Sequence, residues 1–125
     1  MIHLDTHVLV WLYAGEVERF PEPVRTRLGN ALPHYSPMVR LELAFLHEIG
    51  RVSVPPGEIL DALAVSAGLR PADGDFDRVA RVAATLAWTR DPFDRMIAAH
   101  ALADDLPLLT RDAQMLAHCR VAEWG

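Results

Sequence analysis

The sequence predicts an α/β fold, a three-layer α/β/α domain around a central parallel sheet. Three observations lead there. Short apolar stretches of strand length alternate with amphipathic helical stretches along the whole chain. Proline, glycine and capping residues join them, with no linker, repeat or low-complexity tract between. The 125 residues are 51% apolar and 23% charged, enough for one domain with a real core. Strands connected through helices run parallel and are covered on both faces.

Ile2–Asp5 reads as a short apolar strand. Thr6 is the expected cap of a helix from about His7 to Ala14, with Val8, Trp11 and Leu12 on one face and Gly15 as its stop. Pro21–Leu32 holds a short helix, and Leu32–Ser36 a second strand despite Pro33. Ser36-Pro37 is a cap followed by proline at the first helical position, opening a helix to about Ile49 that stops at Gly50. Pro55-Pro56-Gly57 opens the next, Glu58–Ala67, stopped by Gly68. A third begins between Asp73 and Asp77, with Phe76, Val79, Ala80, Ala83 and Ala87 at helical spacing. Asp91-Pro92 opens a fourth, to about Asp104. Leu106–Thr110 is a strand, Asp112–His118 a short helix, and Arg120–Trp124 the closing strand.

Composition narrows the function. The net charge of −5 argues weakly against a nucleic-acid partner, because phosphate contacts want cations. All 12 basic residues are arginine, and without a lysine the chain is no P-loop nucleotidase. The single cysteine, Cys119, excludes an internal disulfide and a Cys-rich zinc site, and a reducing cytoplasm is the expected location. No apolar run approaches the roughly 20 residues of a membrane helix. The start, MIHLDTHVLVWLYAG, carries Asp5 and no basic region, so it reads as strand and helix rather than a signal peptide.

The carboxylates break the apolar pattern. Asp91 precedes a helix-opening proline, and capping accounts for it. Asp94 shares a stripe with Ile97, Ala98 and Ala101, which puts it at the top of the core-facing side of its helix. Glu42 falls in the stripe Met38, Phe45, Leu46 and Ile49. An unpaired carboxylate buried there costs several kcal/mol, on the order of 3–5, unless it is protonated, paired or bound to a cation. Asp5 ends the first strand, and Asp112 follows the strand LPLLT. Open parallel sheets bind ligands beyond the carboxyl ends of their strands, where the strand order switches. Four carboxylates gathered there repel one another, and a hard divalent ion, Mg²⁺ or Mn²⁺, resolves the repulsion. Such a cluster serves phosphodiester hydrolysis, the ion inverting the local electrostatics for an anionic substrate.

Four stretches carry a family likeness: LDTHVLVW (4–11), SPMVRLELAFL (36–46), RDPFDRMIAAHA (90–101) and LLTRDAQM (108–115). In this order and spacing, over nearly the whole chain, the sequence resembles a PIN-domain ribonuclease, specifically the VapC-type toxin of a VapBC toxin–antitoxin pair. The resemblance implies a single PIN domain over residues 1–125, with a parallel sheet of four to five strands between helices. It implies an endoribonuclease with Asp5, Glu42, Asp94 and Asp112 as catalytic, metal-holding acids. Asp5 and Asp94 are the best-supported ligands, Asp112 completes the site, and Glu42 binds metal or orients water. Thr6 and Thr110 are candidates to support them through their hydroxyls. RNA as substrate, a small VapB-type antitoxin as inhibitor and a homodimer are implied too. Loss of Asp5 or Asp94 is expected to stop cleavage and leave the fold intact. The rival readings are a non-catalytic PIN module that binds RNA or protein, and a PIN nuclease of RNA maturation.

Other residues gain no role from the sequence. His3 and His7 are separated by a strand–helix boundary and do not share a face as zinc ligands would. Trp11, Trp88 and Trp124 either pack in core or interface, or stack on bases. Arg95 and Arg111 adjoin site acids and either hold RNA phosphates or pair with carboxylates. Cys119 reads as a small buried apolar residue.

Overall fold

In the computed structural model, which describes residues 1–125, five short strands form one parallel sheet in the order β3-β2-β1-β4-β5. β1 (Ile2–Leu4) leads into α1 (Thr6–Ala14). After a 3₁₀ turn at Val17–Arg19, α2 (Glu22–Gly29) returns the chain to β2 (Pro33–Tyr35). α3 (Pro37–Glu48) and α4 (Pro56–Ala67) precede β3 (Arg70–Pro71). α5 (Phe76–Ala84) and α6 (Pro92–Asp104) lead to β4 (Leu108–Leu109), α7 (Ala113–His118) and β5 (Ala122–Glu123). No helix is long and apolar enough to cross a membrane.

The chain builds outward from β1 on one side, through β2 and β3, then crosses to β4 on the other. The strand order therefore reverses between β1 and β4. Connections leaving these two strands depart in opposite directions and open a crevice at their carboxyl ends. Ile2, Leu4, Leu108 and Leu109 of this central pair are at most 1% exposed and form the middle of the core.

Most elements follow the sequence reading, and the departures have local causes. The cap of α1 is Asp5, not Thr6: Asp5 Oδ1 accepts the Thr6 N–H at 2.8 Å, and Thr6 is already helical. β3 has no counterpart in the sequence reading. It is a two-residue edge strand ending in proline, too short to show alternation. α5 stops at Ala84, so Ala87 lies outside it, and Phe76 at its first position is exposed.

α6 buries Ile97, Ala98 and Ala101, as its periodicity requires. α3 does not bury the stripe expected of it. Val39 and Leu43 face the core, while Phe45 and Ile49 are exposed. Counting apolar residues misplaced that face because α3 is apolar on more than one side. The far end of α6 is held by polar contacts. Asp104 Oδ2 meets His3 Nε2 of β1 at 2.8 Å, and His100 lies within hydrogen-bond reach of the Ser36 hydroxyl and the Asp73 carbonyl. These contacts fix the helix whose first turn carries Asp94.

If this face of α6 is the core, Ile97→Ala lowers stability by about 2–5 kcal/mol in urea denaturation. Val65→Ala, at a position 90% exposed, shifts it by less than about 0.5 kcal/mol. Equal losses at the two positions would refute the assignment.

Candidate metal centre

The four acids named from the sequence line one cleft of about 410 Å³, although they come from β1's end, α3, α6 and the start of α7. Each is delivered by a local device. Asp5 ends the central strand and caps α1 with Oδ1, while its Oδ2 accepts the Thr110 hydroxyl at 2.7 Å from the end of β4. Asp112 caps α7, accepting the Met115 N–H at 2.9 Å, and its own N–H donates to the Thr110 hydroxyl at 3.0 Å. Glu42, one side turn from the buried face of α3, accepts the Thr6 hydroxyl through Oε1. Asp94 sits in the first turn of α6, whose cap Asp91 accepts the Phe93 and Asp94 N–H groups at 2.8 and 3.2 Å.

The sequence reading placed Asp91 as a cap, and its carboxylate does cap. It also lines the cleft, making a fifth acid there. Two further residues of the cleft, His7 and Arg51, gained no role from the sequence. His7 accepts the Arg111 N–H through Nε2 at 2.9 Å, which puts its proton on Nδ1, 3.6 Å from Asp5 Oδ2. Arg51, just after α3, lines the cleft with no ion-pair or hydrogen-bond partner for its guanidinium. No periodicity marks either residue, since both sit where chain geometry rather than pattern decides. Arg95 instead turns its guanidinium to the Thr89 carbonyl at 2.8 Å.

Burial, and then the crowding of like charges, raises the proton affinity of three of these acids. Asp5 is almost wholly buried, and loss of hydration pushes its carboxyl up against the opposing pull of His7 and the two hydrogen bonds. Glu42 is raised chiefly by desolvation, then by Asp5, Asp91 and Asp112, with the Thr6 bond opposing. Asp94 is pushed up to about 7, first by desolvation and then by Asp91, Asp5, Asp112 and Glu42.

The donor set suits a hard divalent cation: every acid offers oxygen, and an ion of charge +2 removes the repulsion that raises these carboxyls. As the side chains stand, no three acids converge tightly enough to form a finished ligand set. Glu42, Asp94 and Asp112 are only half-buried, so each keeps part of its carboxylate open to the cleft. A second cavity of about 430 Å³ lies between α3, α5 and α6, lined mainly by apolar residues with Asp73 its one carboxylate. It lacks the convergent acids.

A sequence model of the PIN domain family matches residues 2–122. No curated protein matches the chain in sequence. Several solved structures match in fold. VapBC2 from Rickettsia felis, solved bound to a DNA fragment from its promoter, aligns over 100% of both chains with a TM-score of 0.71 and 19% identity. VapBC-1 from nontypeable Haemophilus influenzae aligns over 100% of this chain and 97% of its own, with a TM-score of 0.67 and 17% identity. A toxin–antitoxin complex from Klebsiella pneumoniae aligns over 98% and 96%, with a TM-score of 0.63 and 17% identity.

The crowding has a thermodynamic signature. Asp94 holds its proton up to about 7 when folded, against 3.8 in the reference state, so the native protein binds a proton that the unfolded chain releases. Metal-free stability therefore falls as pH rises between these values. Asp94→Asn is expected to raise the melting temperature at pH 8 and flatten its pH dependence. Because Asp94 is half exposed and solvent-screened, the gain is on the order of 1 kcal/mol, about 3–5 °C. A variant that melts lower than wild type in chelator at pH 8 would show the carboxylate to be a structural anchor instead.

Proposed function

The chain belongs to the PIN domain family, and on that premise we propose that it is a metal-dependent endoribonuclease, the toxin of a VapBC-type toxin–antitoxin module, held in check by a small VapB-type antitoxin. The observation that carries the nuclease reading is the gathering of Asp5, Glu42, Asp94 and Asp112 in one cleft at the carboxyl ends of β1 and β4. The toxin reading is supported by likeness in fold to chains from VapBC complexes over their full length. A homodimer, RNA as substrate and Mg²⁺ or Mn²⁺ as cofactor belong to the same proposal.

Asp5, Asp94, Asp112 and Glu42 would hold the ion. When bound, it would polarise a phosphoryl oxygen and acidify water in the cleft. The protein's own groups divide the remaining work. Thr110 fixes the rotamer of Asp5, and Thr6 that of Glu42, so the two central carboxylates are oriented before substrate arrives. Glu42 Oε2, which the Thr6 bond to Oε1 leaves free, would accept a proton from water. Desolvation by burial raises its proton affinity above that of a free glutamate, the direction that strengthens a base.

Mutation of the ligands separates their roles. The sequence suggested that losing either Asp5 or Asp94 would leave the fold intact. For Asp94 that stands as the expectation. Asp5 also satisfies the Thr6 N–H and Thr110 hydroxyl, so Asp5→Ala should destabilise the fold, and Asp5→Asn is the better probe.

The test is cleavage of bacterial RNA by the purified protein in Mg²⁺, Mn²⁺ or EDTA. Discrete fragments are expected with metal only, abolished in Asp94→Asn and slowed about 10²–10⁴-fold in Glu42→Gln. Mg²⁺ or Mn²⁺ should also raise the melting temperature of wild type and do so less for Asp94→Asn. RNA bound equally in EDTA and never shortened would favour the non-catalytic module.

A further inference from the structure

Part of the cleft's lining is not acidic. Val10 and Trp11 of α1, Leu46 of α3 and Val52 give the cleft an apolar wall in addition to its carboxylates, and Arg51 lines it too. The wall is built, not incidental. Gly50 adopts φ +79, a left-handed conformation that ends α3 and turns the chain back. The N–H groups of Arg51 and Val52 then both donate to the Leu46 carbonyl, at 2.8 and 3.2 Å, and the Val52 carbonyl lies 2.9 Å from His47 Nδ1. The backbone of Arg51 is therefore fixed beside the cleft while its guanidinium stays unpaired, with five carboxylates nearby. Trp11 is held by the His7 ring at 4.9 Å, by Phe20 and Trp124 at its edges, and by the Arg19 guanidinium, which lies 4.8 Å over the ring centre and leaves the ring half-exposed.

We propose that this wall is a nucleoside subsite, taking one unstacked base beside the scissile phosphate, and that Arg51 binds the adjoining phosphate. The inference rests on the nuclease reading above and adds to it the residues that seat the substrate. The chemistry matches on both counts. The half-exposed side chains of Val10 and Leu46, with the part of the Trp11 ring that Arg19 leaves uncovered, can pack on any base face, and an unpaired guanidinium fits a phosphate in fork geometry. A volume of about 410 Å³ lies in the range of small-ligand sites, about 300–1,000 Å³. A base held in a duplex cannot enter it, so the subsite selects an unpaired nucleotide. Arg51 is a positioning residue here: it contacts substrate away from the reacting atoms, so its loss should raise KM and leave kcat nearly unchanged.

The experiment uses the full chain and a short fluorescein-labelled single-stranded RNA of mixed sequence, with its annealed duplex and versions carrying an abasic site at successive positions. Affinity is read by anisotropy in Ca²⁺ over a range of salt, and cleavage in Mg²⁺. Arg51→Ala should weaken binding about tenfold and make the slope of log K against log salt shallower by about 0.7, one phosphate's worth on a single strand. Arg51→Lys should restore the slope. One abasic position should weaken binding in wild type, and the duplex should bind worse than the single strand. An unchanged slope in Arg51→Ala would overturn the phosphate contact. Indifference to every abasic position, or equal duplex binding, would overturn the nucleoside wall. In either case wild-type cleavage in Mg²⁺ would leave the nuclease reading standing, whereas a wild type that neither binds nor cuts would remove its premise.

Discussion

Everything in the cleft depends on one buried carboxylate at the reversal of strand order. Asp5 joins three pieces of chain: it ends β1, caps α1 through Oδ1, and takes the Thr110 hydroxyl from the end of β4 through Oδ2. The last bond spans 105 positions of sequence. It aligns β1 with β4 where the crevice opens, and Thr110 passes the alignment on by accepting the Asp112 N–H. Asp5 is thus both anchor and ligand candidate, and the two uses share one requirement. An ionised carboxylate buried this deeply needs donors on both oxygens, and those same donors fix where a cation would sit.

The other acids work against the fold in order to work for the site. Asp94 and Glu42 gain nothing from burial beside like charges, and their raised proton affinities measure that conflict. Stability has to come from elsewhere, and the core supplies it: Ile2, Leu4, Leu108 and Leu109 in the central strands, and Ile97 and Ala101 beneath Asp94 on α6. The burden is also shared out along the helices, since Asp91 and Asp112 repay part of it as caps. A cluster assembled from capping residues costs less than one assembled from side chains with no structural role.

The sequence was legible where a residue's neighbours in the chain decide its place. The Ser36-Pro37 and Asp91-Pro92 openings, the stops at Gly15 and Gly68 and the buried stripe of α6 are of this kind. The four acids were found as interruptions of pattern or as strand-end residues, and all four line the cleft. Reasoning failed where tertiary contact decides. Glu42 was placed in a buried stripe that includes Phe45 and Ile49, yet those two are exposed and the helix packs through Val39 and Leu43. Glu42 reached the cleft all the same, because Thr6 holds it there. β3 was invisible because two edge residues carry no period. Arg51 was passed over, and His7 was weighed only as a zinc ligand and set aside, because nothing in their local sequence distinguishes a cleft from a surface.

Net charge alone is a weak guide to the partner of this cleft. A chain at −5 looks hostile to phosphate, and by Coulomb's law at long range it is. Screening at physiological ionic strength limits that repulsion to about 8 Å, so what the substrate meets is the local distribution. Locally the cleft is mixed: carboxylates that suit a divalent ion, an apolar wall, and the unpaired guanidinium of Arg51 all line it. An anion bound there touches no bare carboxylate if an ion lies between. On the proposed reading, the acidity that argues against nucleic acid in the total would hold the cation through which the cleft meets a phosphate, and Arg51 would supply local attraction that the total lacks.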